Sequence, residues 1–173
     1  MSDEVLVVDP DPRWPAMFDA EAARVRAAAG ERLVACEHVG STSVLGLAAK
    51  PVIDILGGVK TLADADAVVP RIVSIGYDYV RKWEAEMPGR RYFVRRARGV
   101  RTHHLHVVEV DSDFWRDHLL FRDHLRTHPV DVIRYAALKQ ELAESLGDDR
   151  EAYTDGKADF IASCLRGARA QGR

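Results

Sequence analysis

The sequence predicts an α+β protein: a mixed β-sheet with flanking helices, followed by a helical C-terminal third. Three observations carry this. The apolar runs LVACEHV (33–39) and PVIDILGGV (51–59) have the length and β-branched content of buried strands, and residues 77–110 alternate with a period of two. Beyond Asp111 every segment has helical spacing. The 173 residues suit one domain with a real core, taken as 1–173, because no linker, repeat or low-complexity stretch divides them.

The elements follow in order. VLVV (5–8) reads as a short strand or extended arm that stops at DPDPRWP. From Trp14 to Ala29 a stripe of Trp14, Phe18, Ala22 and Val25 predicts a helix that Gly30 ends. GSTS (40–43) is a turn after the first buried strand. The second strand starts with Pro51, where a missing amide costs least. TLADADAVVPRIVSIG (61–76) opens on a threonine cap and should be kinked or interrupted at Pro70. RRYFVRRA (90–97) and THHLHVVEV (102–110), with EAEMPG between the strands of this region, read as antiparallel partners. The helical third comprises 111–128, 129–147 and 149–168, broken by Pro129 and Gly147, with RGARAQGR as a frayed tail. Trp14, Phe18, Phe114, Trp115, Leu119, Phe121, Leu138, Leu142, Phe160 and Ile161 are assigned to the core.

Composition excludes several classes. Lys and Arg total 25 against 27 Asp and Glu, a net charge of -2, so no global basic field favours nucleic acid and any phosphate site must be local. Cys36 and Cys164 show neither metal-ligand nor redox spacing nor a secreted disulfide pattern, which fits a reducing cytoplasm. The N-terminus lacks the basic region and apolar stretch of a signal peptide, and no run approaches the ~20 apolar residues of a membrane helix. A soluble, cytoplasmic protein without a membrane partner is expected.

The chemistry concentrates in EHVGSTSVLGLAAKPVIDIL (37–56). A strand ending in Gly40-Ser41 leaves backbone amides pointing into a turn that a phosphate can approach closely. Asp54 lies in the following strand between aliphatic residues, where an unpaired carboxylate would cost several kcal/mol. A metal, a cation or a pocket rim would relieve that cost, and an ion pair to Lys50 or an arginine is the plainer alternative. His104 and His106 share one strand face and Glu109 the other. If their strand neighbours that of Asp54, either imidazole could join it at a divalent metal of mixed nitrogen and oxygen ligands, or act as a base. Glu37 is a further ligand candidate or a partner for loop amides. Ser41 and Thr42 offer hydroxyls to phosphate or cap the turn. The stretch is neither a nucleophile elbow nor a Walker A loop, and a single His-x-His does not make a paired-histidine phosphoesterase.

The segments EHVGSTSVLGLAAKPVIDI, HLHVVE, FRDHLRTHP, YAALKQELA and YTDGKADFI resemble the GrpB family over roughly residues 5–165. That resemblance implies a nucleotidyltransferase-like fold and the superfamily's Gly-Ser then Asp-x-Asp/Glu signature. It implies a nucleotide, an NTP by superfamily habit, with a divalent metal (Mg, Mn or Zn) and an unknown small-molecule or macromolecular acceptor. It also suggests a pocket closed by Arg122, by Tyr135 with Lys139 and by Tyr153 with Lys157, each pair spaced i, i+4 on one helix face. The bland alternative for each tyrosine is a core edge beside a solvated lysine. Two positions depart from the family: Leu45 stands where proline is usual, and Leu56 stands where the second carboxylate should be. The catalytic expectation therefore rests on Asp54, His104 and His106, with Gly40, Ser41, Thr42 and Lys50 around the phosphates. The competing expectation is a nucleotide- or metal-binding module without turnover, linked through the family's dephospho-CoA kinase fusions to coenzyme A metabolism.

Overall fold

The computed structural model describes residues 6–146 and 149–172, so Val5, the Gly147 break and Arg173 lie outside the described residues. Helix α1 (Trp14–Ala29) starts with Pro15 in its first turn and ends at Gly30, whose positive φ of 67° suits glycine. Strand β1 (Leu33–Val39) leads into a single 3-10 turn at Ser41–Ser43. The arm before α1 touches the sheet region through one bridge, Val8 to Ala49. Strand β2 (Ile53–Val59) begins two residues later than the sequence suggests, leaving Pro51 in the preceding loop.

Helix α2 (Leu62–Ser74) is capped by Thr61, whose hydroxyl accepts from the Asp64 amide. Contrary to expectation it runs through Pro70 without a break. Its buried stripe of Ala65, Val68 and Ile72 spans the proline on both sides, and that packing outweighs one missing backbone hydrogen bond. Strands β3 (Tyr77–Tyr79), β4 (Arg90–Ala97) and β5 (Val100–Glu109) follow, and the sheet order is β1-β2-β5-β4-β3. Only β2 and β5 run parallel, with Asp54 beside His104 and Leu56 beside His106. The other three pairings are antiparallel. This is the mixed sheet with flanking helices and a helical C-terminal third read from the sequence.

The helical third comprises α3 (Asp113–Thr127), α4 (Pro129–Leu146), α5 (Arg150–Asp155) and α6 (Ala158–Ala170). The single helix expected over 149–168 is divided at Gly156, where an added Cβ would lie 2.6 Å from Leu142 Cδ2, so α4 approaches too closely for any side chain. The frayed tail is also shorter than expected. Burial of Cys164, Leu165 and Ala168 carries α6 to Ala170. Among the described residues no helix is long and apolar enough to cross a membrane.

The sheet has two unlike faces. One is covered by α1 and α2 and holds the main core, in which Trp14, Val25, Ile53, Ile55, Phe93 and Leu105 pack together. On the other, Val39, Leu56 and Val108 pack under Trp115 of α3. A third cluster joins Val44 and Leu47, just after the 3-10 turn, to Leu125, Tyr135 and Phe160 of the helices. The helical third is thus anchored beside the GSTS turn.

Gly58 marks how tightly α3 sits. A Cβ there would meet Val110 Cγ1 at 2.5 Å and Trp115 Cζ3 at 2.9 Å. Gly58→Ala is expected to destabilise the protein by about 1–3 kcal/mol, read as a lower urea midpoint at unchanged slope. An unchanged midpoint would show that Trp115 does not seat on β2.

Candidate functional site

Asp54 lies near the start of β2, flanked by Val39 on β1 and His104 on β5. Period-two alternation puts its side chain on the face away from α1 and α2, with Leu56, His104 and His106. His104 Nδ1 donates to Asp54 Oδ1 at 2.9 Å. The chain leaves β1 at Gly40 with φ 72°, and the turn folds over the same carboxylate: a Cβ on Gly40 would stand 2.4 Å from Asp54 Oδ2. Only glycine lets the backbone pass here. Although crowded, 29% of the Asp54 side chain remains accessible.

Burial pushes the Asp54 pKa upward, but the His104 hydrogen bond, with the attraction of His104 and Lys157, outweighs it and holds the group down at about 2. The carboxylate is therefore ionised throughout the physiological range. His104 Nε2 is buried with no hydrogen-bond partner among the described residues.

The turn is braced from three sides. The Ser43 hydroxyl and amide both donate to the Gly40 carbonyl, at 2.6 and 3.1 Å. Arg126 of α3 donates twice to the Ser43 carbonyl, at 3.1 and 2.9 Å. Thr42 is buried, with its hydroxyl hydrogen-bonded to His38 Nε2 at 2.9 Å, so this side chain supports the turn from within. The Ser41 and Thr42 amides have no backbone acceptor among the described residues. Ser41 Oγ accepts from Lys139 Nζ at 2.9 Å, and the same ammonium donates to the Ala48 carbonyl.

Lys139 is 2% exposed, and two more lysines gather beside it. Lys50 Nζ stands 4.4 Å from the Tyr153 ring centre and Lys157 Nζ 4.7 Å from it, while Lys139 Nζ lies 4.8 Å from the Tyr135 ring. Burial, together with the mutual repulsion of the three lysines, draws Lys50 and Lys139 down to about 7. Burial also lowers Lys157, against the pull of Asp54. No carboxylate forms an ion pair with any of the three among the described residues. The three lysines thus converge on aromatic rings, the Ala48 carbonyl and the Ser41 hydroxyl, with no acid paired to them among the described residues.

The remaining sequence candidates lie apart from that recess. Glu37 binds the Arg122 guanidinium at 2.8 Å, and Arg122 also donates to Asp123 and to the His38 carbonyl. This pair clips α3 to β1. His106 faces the same side as Asp54 but sits in an aromatic cluster: Tyr92 lies 4.9 Å away, Phe114 5.4 Å and His118 6.1 Å between ring centres. Burial and His118 keep His106 well below its usual pKa, hence neutral at pH 7. Among the described residues, donor atoms of Asp54, His104, His106 and Glu37 do not gather three at a time within 4.8 Å. Leu56, at the missing second carboxylate, is fully buried under Trp115.

Sequence reading missed Tyr92, His118 and Arg126. Tyr92 alternates with Phe93 and pairs with His106, a relation visible only once β4 and β5 are in register. His118 follows Phe114 at i+4 and stacks on it at 4.0 Å. Two surface depressions lie elsewhere: one of about 600 Å³ beside Pro10, Trp14 and Pro51, and one of about 510 Å³ beside Arg32, Lys60 and Asp64.

An ion at Asp54 must satisfy this donor set. A partly accessible carboxylate close to the Gly40–Ser43 turn fits a hard cation that takes its other ligands from phosphate and water. It does not fit zinc held by three protein ligands.

Comparison with known proteins agrees along nearly the whole chain. Residues 4–166 match the family described as GrpB protein. The glutamate-rich protein GrpB of Alkalihalophilus pseudofirmus is 34% identical over 166 residues, covering 94% of each chain. The crystal structure of the conserved protein GrpB from Enterococcus faecalis superposes with a TM-score of 0.86 at 34% identity, over 96% of this chain and 98% of that one. A dephospho-CoA kinase of Mycolicibacterium paratuberculosis is 31% identical over 95% of this chain, which spans 46% of that protein's length.

The Asp54–His104 contact makes a prediction of definite sign. With a folded pKa below the ordinary 3.8, Asp54 adds stability that is fully present above about pH 4 and is lost as pH falls through about 2. His104→Leu removes the donor and leaves burial to dominate. Carbon-detected NMR titration of the Asp54 carboxyl should then find its pKa raised above 3.8; a value still near 2 would mean that His104 does not hold the charge.

Proposed function

This chain belongs to the GrpB family, and on that premise we propose that it binds a nucleoside triphosphate with a divalent cation and transfers the nucleotidyl group to an acceptor. The observation that carries the reading is the trio Lys50, Lys139 and Lys157, gathered without a carboxylate partner among the described residues beside the Gly40–Ser43 turn and the ionised Asp54. A monoanion does not need three converging cationic side chains, Lys139 buried and Lys50 and Lys157 half-buried. A triphosphate does.

The chain's own residues have separable roles. Lys139 fixes the Ser41 hydroxyl, and the Ser41 and Thr42 amides point their donors at phosphate oxygens. Lys50 and Lys157 both pack against the Tyr153 ring, which positions their amines. His104 keeps Asp54 charged and fixes its orientation. Magnesium or manganese, when bound at Asp54, would neutralise phosphate oxygens. In the transfer, a bond forms between the acceptor oxygen and the α-phosphorus while the bond to pyrophosphate breaks. The acceptor's proton passes to water, because His106 sits apart among Tyr92, Phe114 and His118.

A second reading, binding without turnover, is favoured by Leu56. Its burial under Trp115 removes the second carboxylate from the strand that carries Asp54, and superfamily chemistry uses two metal-holding acids. The likeness to a dephospho-CoA kinase then points to a sensing or accessory role near coenzyme A metabolism.

Titration calorimetry separates binding from its absence, and pyrophosphate release separates the two readings. Lys50→Ala is expected to weaken triphosphate binding about 10- to 150-fold, the value of one charge-assisted hydrogen bond. Asp54→Asn should abolish the magnesium-dependent part. An unchanged affinity in both variants would overturn the site. Phosphate oxygens will also raise Lys50 and Lys139 from about 7. Binding should therefore take up protons, and affinity should fall between about pH 7 and 9 by at most about tenfold per pH unit for each lysine. Proton release on binding would contradict this.

A further inference from the structure

The FRDHLRTHP segment contributes more than Arg122 and Arg126. His124 of α3 is 6% exposed, and its Nε2 lies 2.8 Å from Asp131 Oδ2 in the first turn of α4. Cys164 of α6, 7% exposed, completes a group whose donor atoms all lie within 4.8 Å of one another. Among the described residues it is the one place where three metal-ligating side chains converge so closely.

A structural reading explains part of this arrangement. His124 and Asp131 could simply link α3 to α4, with the thiol serving as a small apolar filler. Two features go beyond it. His124 Nδ1 is buried without a hydrogen-bond partner, although buried imidazoles normally satisfy both nitrogens. Asp131 keeps 23% of its side chain accessible, which gives an ion a route in from solvent. The three donors are also chemically distinct and come from three different helices, so no single packing contact requires them to meet.

We propose that His124, Asp131 and Cys164 form a divalent-metal site that ties α3, α4 and α6 together. One imidazole, one thiolate and one carboxylate are the donor types of zinc, and three protein ligands leave a fourth position for water or an incoming group. Ordinary zinc bond lengths put tetrahedral donors about 3.3–3.6 Å apart, and donors lying within 4.8 Å of one another need shift by no more than about an ångström to reach that spacing. Side-chain rotation provides that movement. The site is separate from the Asp54 pocket, but the helices it joins carry Arg126, Tyr135 and Lys139, which hold or line the GSTS turn. Metal here would stiffen the helical cover over that turn.

The test uses the full chain, stripped with chelator and titrated with zinc or cobalt. One equivalent should bind, and cobalt should show thiolate-to-metal charge-transfer absorption. At a hundredfold excess over Kd the thermal midpoint should rise by roughly 5–10 °C. Cys164→Ser should lose the charge-transfer band while Cys36→Ser keeps it. Asp131→Asn, altered at a partly open position, should fold normally and bind at least tenfold more weakly. Absence of stoichiometric binding overturns the proposal, as does a charge-transfer band that survives Cys164→Ser. If Cys164→Ser does not fold, unchanged metal affinity in Asp131→Asn overturns it equally. Nucleotide binding plays no part in these readouts, so failure here is distinguishable from failure of the Asp54 pocket.

Discussion

A negative charge at the centre of a sheet is the constraint around which this fold is arranged. Asp54 sits between β1 and β5, in a strand whose neighbouring side chains are apolar and fully buried. An uncompensated carboxylate in such a place would take up a proton or destabilise the sheet by several kcal/mol. His104 prevents both by donating from the adjacent parallel strand, and Lys157 of the helical third adds a longer-range attraction. The price is borne by glycine at position 40, because the returning backbone comes so close to the carboxylate that no side chain fits.

The lysine recess is the counterpart of that charge. Partly buried cations elsewhere in the chain come with acids, as Arg122 comes with Glu37 and Arg95 with the buried Glu21. Lys50, Lys139 and Lys157 instead meet aromatic rings, carbonyls and a serine hydroxyl. The lowered pKa values of Lys50 and Lys139 record first their burial and then the repulsion between like charges, and an anion would offset both. The α3 helix connects the two halves, since Trp115 seats on β2 and Arg126 reaches the turn.

Much of this was legible in the residues themselves. Strand alternation put Asp54, His104 and His106 on a common face, and the assumption that their strands neighbour one another holds in the β2–β5 register. The Tyr135–Lys139 pair was visible as an i, i+4 spacing on one helix, whereas Tyr153 and Lys157, expected on one helix face, fall on either side of the break at Gly156. That Lys50 would meet Tyr153 was not visible, because the two lie on distant segments and no local pattern encodes their contact. For the same reason Glu37 and Arg122 each read as a possible ligand contact, although they bind one another. Thr42 looked equivalent to Ser41, yet the handedness of the turn buries one hydroxyl against His38 and leaves the other beside Lys139. Pro70 and Gly156 misled in opposite directions: tertiary packing carried α2 through a proline, and the close approach of α4 divided a helix at a glycine.

The most direct measurement is a crystal structure of the protein grown with a non-hydrolysable nucleoside triphosphate and manganese. The account predicts phosphates within hydrogen-bonding distance of Ser41 and the three lysines, with anomalous manganese density against Asp54. Phosphates bound elsewhere, or a lysine trio bridged by a carboxylate of the chain itself, would contradict it.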